Sequence, residues 1–379
     1  MTGSDPAPRA GRVPVVLHIT YALDFGGVET HLGLIAETPG KRFAHHFCAL
    51  GHGGAAGEAI RAAGAAVHIL DIDGHRTPLR CLAKLVRLIR AVAPEVVHCH
   101  GAEGNLYGLV AAWIARVPVR IGEEIGIPDH SPAARRAMTF AYRFADRVIG
   151  VSDAVRDWLV ASGEVPAHKA LRVYNPVRLP HGEARPRDPG ARLRIGFVGR
   201  LEPVKNPLAL VDAVAELIGG GLDCELVLIG DGGERGTIER KVRDAALADR
   251  IHVCGFVAAP AVSLATCHLY VQPSLSEGFG IALVEAMAGA LPVIASRVGG
   301  MPEIVVQGRT GWLLAATDAS AIAAAIAAAS ALDPQALAAI GAAARESVGE
   351  RFDPAQYCTT IEQLYDAVRS PARVVGGGR

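Results

Sequence analysis

Aromatic side chains are scarce in this chain of 379 residues: Phe, Trp and Tyr make up 5% of it, although 50% of its residues are hydrophobic. A core of that kind rests on Ala, Val, Leu and Gly, which suits helices laid on parallel strands with short connections. An excess of one charge is also missing, since 38 Lys and Arg balance 38 Asp and Glu and the isoelectric point is near 7.2. That excludes a global electrostatic hold on nucleic acid and leaves anionic partners to local patches. The seven cysteines, at 48, 81, 99, 224, 254, 267 and 358, are odd in number and contain no Cys-x-x-Cys pair. Reduced, buried thiols in a cytosolic protein are expected. No apolar run reaches the ~18 residues of a membrane-spanning helix, and Met1 to Arg12 is polar and Pro-rich with no apolar segment, so neither a span nor secretion is expected. Gly-x-Gly-x-x-Gly is absent too. Its nearest imitation, Gly230-Asp-Gly-Gly-Glu-Arg-Gly236, has the wrong spacing, which argues against a dinucleotide-dependent dehydrogenase.

What is present is an alternation of short β-branched runs with helical patterns. It begins at Val15–Ile19 and continues through 45–50, 67–70, 95–99 and 147–151. Pro176, Pro180, Pro186 and Pro189, with Gly182 and Gly190, then interrupt it in a charged stretch, which places a linker at about 178–192. The alternation restarts at 193–198, 225–229, 251–253, 269–271 and 292–295. Residues 315–331 read as an alanine-rich helix, 356–368 as a last amphipathic helix and 374–379 as a frayed tail. The length fits two domains of ordinary size. Two doubly wound α/β domains bind ligands at the C-terminal ends of their strands, so the chemistry is to be sought in βα loops.

The most informative run is Gln272 to Pro292, QPSLSEGFGIALVEAMAGALP. A strand ends, Gly278 and Gly280 allow a tight turn, and Ile281 to Ala288 carries helical periodicity. Glu277 sits before the turn and Glu285 about one helical turn after it, flanking unpaired amides that suit a phosphate. Carboxylates there accept hydrogen bonds from sugar hydroxyls. Alternatively, both glutamates face solvent. In the second half's first βα loop, Arg200 and Lys205 are cations that can neutralise a diphosphate leaving group, or a solvated pair. The first loop of the chain ends in Gly26-Gly27, either a tight turn or a close approach of backbone to ligand. His98 and His100 share a strand face by period two; a metal reading lacks further ligands, and His100 is placed toward a sugar with His98 in the core, or both are structural. Between Arg76 and Arg90, Arg80, Lys84 and Arg87 form a basic helical face, either solvated or aimed at an anionic membrane surface. Arg135, Arg136, Arg143 and Arg147 form a second, less regular basic cluster.

Taken in order, Gly26-Gly27-Val-Glu29, Gly199-Arg200 with Lys205-Asn206, Gly230-Asp-Gly232 and the Glu277-x7-Glu285 element resemble glycosyltransferase family 4, and the match spans nearly the whole chain. The resemblance implies an α/β GT-B fold, two doubly wound Rossmann-like domains facing each other across a cleft. Residues 1–180 would form the acceptor-side domain, 190–355 the nucleotide-sugar domain, and 356–379 a C-terminal helix and tail able to pack back on the first. It implies a retaining transferase that moves a hexose-type sugar from a nucleotide diphosphate-sugar to a hydroxyl acceptor, in polysaccharide, glycolipid or glycoconjugate biosynthesis, with no cofactor and no metal required for catalysis. Arg200 and Lys205 would hold the diphosphate, Glu277 the sugar hydroxyls and Glu285 the ribose. The amides of Gly278, Phe279, Gly280 and Ile281 would meet the distal phosphate, Gly26 and Gly27 would approach the donor, and His100 would touch the transferring sugar. Two stretches depart from the family pattern: Gly122-Glu-Glu-Ile-Gly126, where many members have a Thr-x-His-like sequence, and Asn175-Pro176, where Asn-Gly is common. Glu123 and Glu124 are candidates for acceptor-side chemistry. They are also the candidate acid and base of the rival assignment, a sugar-nucleotide 2-epimerase on the same two-domain plan. A sugar-nucleotide sensor is the non-enzymatic alternative. The expected setting is the cytoplasm, with peripheral contact at the inner face of the plasma membrane through the Arg80–Arg90 helix if the acceptor is lipid-linked, and with no nucleic acid. The nucleobase, sugar, acceptor, linkage and oligomeric state stay open.

Overall fold

The computed structural model describes residues 13–24, 26–72, 77–178, 188, 190–257, 259–349 and 351–369. Phe25, Arg76, most of the expected linker and both chain ends, including the expected tail, lie outside the described residues.

Two all-parallel sheets carry the fold. The first holds seven strands in the order β3-β2-β1-β4-β5-β6-β7, with β1 at Val15–Thr20, β2 at Ala44–Ala49, β3 at Ala66–Ile69, β4 at Val96–His100, β5 at Val119–Glu124, β6 at Arg147–Gly150 and β7 at Ala170–Arg172. The second holds six, in the order β10-β9-β8-β11-β12-β13, with β8 at Leu193–Val198, β9 at Cys224–Ile229, β10 at Ile251–Gly255, β11 at Leu269–Gln272, β12 at Val293–Ser296 and β13 at Gly311–Leu314. Each order reverses once, between β1 and β4 and between β8 and β11. In open parallel sheets such switch points leave a crevice at the strand ends. The Gly26-Gly27 loop and the end of β4 flank the first; the loops carrying Arg200, Lys205 and Glu277 flank the second.

Strands buried on both faces need continuous apolar sequence, and β8, β9 and β11 fill one core with Ile195, Phe197, Leu226, Leu228, Leu269 and Val271. Three helices matter for the site and its surroundings: α1 (Gly27–Glu37), α3 (Pro78–Val92) and α4 (Gly101–Ile114). Beyond them lie α5 (Pro132–Tyr142), α6 (Asp153–Ala161) and α10 (Ile281–Ala288). The alanine-rich helix begins later than expected, as α12 at Ala319–Ser330, because Asp318 caps it, its Oδ1 accepting from the Ala321 amide at 3.0 Å; the edge strand β13 at Gly311–Leu314 precedes it. The final helix, α14 at Pro354–Arg369, lays Tyr357, Cys358, Ile361 and Tyr365 against Phe43 and Phe47 of the first half. Six cysteines are buried thiols as expected, but Cys254 is exposed. No single helix among the described residues is long and apolar enough to cross a membrane.

The halves meet through backbone as well as side chains. A Cβ on Gly278 would stand 2.2 Å from the Ile125 carbonyl oxygen, so only glycine lets these two loops touch. Ser152 Oγ donates to the Gly278 carbonyl at 2.7 Å, and the Glu303 carboxylate accepts from the Asp153 and Ala154 amides, both at 2.9 Å. Those amides open α6. A helix start in one half is thus capped by an acid from the other.

Candidate active site

The loops after β8 and β11 are neighbours because their strands are neighbours, and the Leu275 amide donates to the Val204 carbonyl at 2.8 Å to tie them together. This brings Lys205 to Glu277, with Nζ 2.5 Å from Oε2 and both side chains mostly shielded. Gln272 Nε2 donates to the same Oε2 at 2.8 Å, and Gln272 Oε1 accepts from the Tyr270 hydroxyl at 3.0 Å. Glu277 is therefore aimed by two donors. Sequence inspection gave Gln272 no role, although it stands five residues before Glu277 at the end of the same strand. Gly280 adopts φ +104°, a left-handed conformation, and leads directly into α10. Gly299 (φ +51°) passes so close beneath that a Cβ would lie 1.5 Å from the Glu277 carbonyl.

Glu285 is half-buried on α10, and burial pushes its carboxyl up to about 7 despite the opposing charge of Arg178. Phe279 turns its side chain away, into an aromatic cluster with Tyr174 and Phe352 at ring-centroid distances of 5.7 and 5.2 Å. Only its backbone serves the loop. From the first half, a Cβ on Gly27 would meet Ile281 Cδ1 at 3.1 Å, so the two glycine loops face each other directly. The Glu29 carboxyl is raised by burial and pulled back in part by a backbone hydrogen bond, with a smaller contribution from Arg200, which is itself exposed. Gly26, Gly27, Arg200, Lys205, Glu277, the Gly278–Ile281 backbone and Glu285 thus converge on the two switch points.

His100 is placed differently from the expectation of a sugar contact. It is 1% exposed, with Nε2 3.0 Å from His18 Nδ1 and Nδ1 3.3 Å from Glu123 Oε1. Both ring nitrogens point into the domain. The reason lies in sheet register: His100 pairs with Glu123 across β4 and β5, and His18 with His98 across β1 and β4, so all four share one face. Glu123, expected on the acceptor side, is instead buried, and the surrounding histidines hold its carboxyl well below the usual range against the upward push of burial. Glu124 is buried as well, accepting from the Tyr142 hydroxyl at 3.0 Å and the Ile125 amide at 3.1 Å, and burial raises it to about 7. Neither glutamate opens on the cleft.

Comparison with known proteins follows the same division into halves. Residues 26–176 match the family described as glycosyl transferase 4-like domain, and residues 184–347 that described as glycosyl transferases group 1. The lipopolysaccharide core biosynthesis mannosyltransferase LpcC of Rhizobium leguminosarum bv. viciae is 30% identical over 290 residues, covering 72% of this chain and 78% of that one. The chain is a glycosyltransferase of family 4 type with the GT-B fold. The alpha-D-kanosaminyltransferase of Streptomyces kanamyceticus is 28% identical to it over 253 residues, 59% of this chain and 65% of that one, so the match spans just under two thirds of that relative's own length. Among solved structures, Anabaena HepE in complex with UDP and glucose superposes with a TM-score of 0.81 at 25% identity, covering 93% of this chain and 99% of that one.

In this glycosyltransferase the cation pair and the carboxylate pair of the second half are gathered by the β8–β11 switch point. Fixed cations beside a helix start favour an anion, and the carboxylates beside them favour hydroxyl groups. The arrangement suits a phosphorylated sugar on chemical grounds.

Proposed function

We propose that this glycosyltransferase moves a hexose-type sugar, with retention of anomeric configuration, from a nucleoside diphosphate-sugar to a hydroxyl acceptor. The observation that carries the proposal is the convergence of Arg200, Lys205, Glu277 and the Gly278–Ile281 turn, with the Gly26-Gly27 loop of the first half opposite. Arg200 and Lys205 neutralise the diphosphate as the anomeric C–O bond lengthens, where added charge is worth most. Glu277, pre-aimed by Gln272 and Lys205, accepts hydrogen bonds from the sugar hydroxyls. Glu285 accepts from the ribose diol. In front-face attack the acceptor oxygen forms its bond to the anomeric carbon on the side the diphosphate leaves, and the acceptor proton passes to a departing phosphate oxygen. The chemistry proposed needs no metal. UDP-glucose is the first donor to try, because the HepE structure contains UDP and glucose.

The epimerase alternative needs Glu123 or Glu124 in reach of the donor. Their burial, and the transferase names of the relatives, favour the transferase. A lipid-linked acceptor in the cytoplasm fits one surface feature. α4 packs between α3 and α5; Trp113 and Phe140 are exposed, as are Arg135, Arg136 and Arg143 and, on α3, Arg80, Arg87 and Arg90, whereas Lys84 of the expected basic face is half-buried and donates to the Leu70 carbonyl at 3.2 Å. Aromatic and basic groups together suit an anionic interface.

The deciding test is thermal stabilisation by a panel of nucleoside diphosphates and their sugars, followed by turnover with and without acceptor. A shift with one base, enlarged by one sugar, and product only with acceptor is the expected result. No shift across the panel, or sugar conversion without acceptor, would reject the assignment.

A further inference from the structure

Five histidines and two glutamates meet beneath the end of β4, all buried: His18, His31, His45, His98 and His100 with Glu123 and Glu362. The donor site described above uses none of them. Their contacts fall into two kinds. Outward from the cluster the distances are those of hydrogen bonds: His98 Nδ1 to the Tyr365 hydroxyl at 2.7 Å, His100 Nε2 to His18 Nδ1 at 3.0 Å, and His18 Nε2 to His45 Nδ1 at 2.8 Å. Inward, toward Glu123, they are longer. His98 Nε2 stands 3.2 Å from Oε2, His100 Nδ1 3.3 Å from Oε1 and His31 Nδ1 3.6 Å from the same Oε1. His98 Nε2, His100 Nδ1 and Glu123 Oε1 make no hydrogen bond of acceptable geometry although each is sealed from solvent. Buried polar atoms left in this way are costly, and two of them, His100 Nδ1 and Glu123 Oε1, face each other at one point and call for a shared partner.

The inward spacings of His100 and His31, 3.3 and 3.6 Å, fit a metal better than hydrogen bonds, whereas His98 at 3.2 Å is within hydrogen-bond reach of Oε2. An N–H···O bond prefers 2.7–3.2 Å, roughly. Ligands held at about 2.0–2.1 Å on a tetrahedron stand roughly 3.3–3.4 Å apart. Histidine ligands also have their second nitrogen fixed by a hydrogen bond, as His18 fixes His100.

We propose that His31, His100 and Glu123 form a buried zinc-type cation site, with His98 on the second oxygen of the same carboxylate. The ligand atoms of His31, His100 and Glu123 lie within 4.8 Å of one another, and two imidazoles with one carboxylate are a donor set that suits zinc. Its role is structural: the cation joins α1 (His31), β4 (His100) and β5 (Glu123) at the first switch point. It is separate from the donor site and stands or falls independently of the proposed reaction.

The test uses full-length protein without a polyhistidine tag, produced with zinc in the medium and freed of loose metal. Elemental analysis is expected to give one zinc per chain. Cobalt exchanged into the site should show the visible d–d bands of Co(II) bound by imidazole and carboxylate. Glu123→Ala and His31→Ala should lose both signals, while His68→Ala, which alters the separate His46–His68 pair, should keep them. Wild-type protein decides the matter even if those variants fail to fold. Wild-type chain that is free of zinc and gives no cobalt bands would overturn the site, as would zinc that follows His68 instead of Glu123.

Discussion

Lys205 Nζ lies 2.5 Å from Glu277 Oε2, a pairing between residues 72 apart in sequence that exists because β8 and β11 adjoin. Each holds the other in place before any ligand arrives. Such preorganisation is where catalytic electrostatics gains most. Lys205→Ala and Arg200→Ala are each expected to lower kcat/KM by a hundredfold or more, about 3 kcal/mol in the barrier. Steady-state kinetics measures it, and a variant that keeps most of its rate would remove that cation from the mechanism.

The ribose role proposed for Glu285 makes donor binding depend on pH. Its carboxyl, at about 7, is protonated below that value and ionised above it. Only the ionised form accepts from both ribose hydroxyls, so nucleotide affinity should fall as pH drops below 7, by up to about tenfold per unit. Calorimetric titration of nucleoside diphosphate from pH 5.5 to 8.5 reads this, and Glu285→Gln should flatten the profile.

Glu124 has the opposite consequence for stability. Its folded-state value of about 7 lies above the ordinary 4.5, so the folded chain holds a proton that the unfolded chain releases. The favourable contribution is complete below about 4.5 and is lost as pH rises through 7. Glu124→Gln keeps an acceptor for the Tyr142 hydroxyl and avoids burying a charge. It should stabilise the protein by on the order of 1–3 kcal/mol at pH 8 and change little at pH 5, as thermal melts at the two values would show.

Gly299 supports Glu277 from below. Alanine at φ +51° is strained, and its Cβ would press on the Glu277 carbonyl. Gly299→Ala is expected to destabilise by about 2 kcal/mol and to weaken nucleotide binding at least tenfold. Unchanged nucleotide affinity would show that the Glu277 loop is not held from this side.

Glu303 caps α6 from the other half and accepts from the Tyr174 hydroxyl at 3.1 Å. Glu303→Ala should cost about 1 kcal/mol or more in thermal stability, since two helix-start amides lose their acceptor. If the midpoint does not move, water replaces the cap and the contact holds nothing together.

Much of the donor half was legible in the chain. Ile281–Ala288 forms a helix over the span its periodicity and the preceding Gly280 indicate, because both are local properties. The short strands at β5, β7 and β13 were harder to read. β13 is four residues only four positions ahead of an alanine-rich helix, and its strand character comes from pairing with β12. His100 shows the same limit in the site. Period two correctly puts His98 and His100 on one face, but which way that face looks depends on β1 and β5 and on α14 covering it.

The sequence by itself determined the alternation of strands and helices, the two switch-point loops and the residue types they carry, since glycine turns, helix starts and charge are encoded within a few neighbouring positions. Only tertiary structure decided that Lys205 meets Glu277 through Gln272's strand, that Glu123 and Glu124 are sealed away, and that Glu303 caps a helix 150 residues distant. Strand order and sheet register set those meetings, and a shift of one residue in register would reverse every face involved.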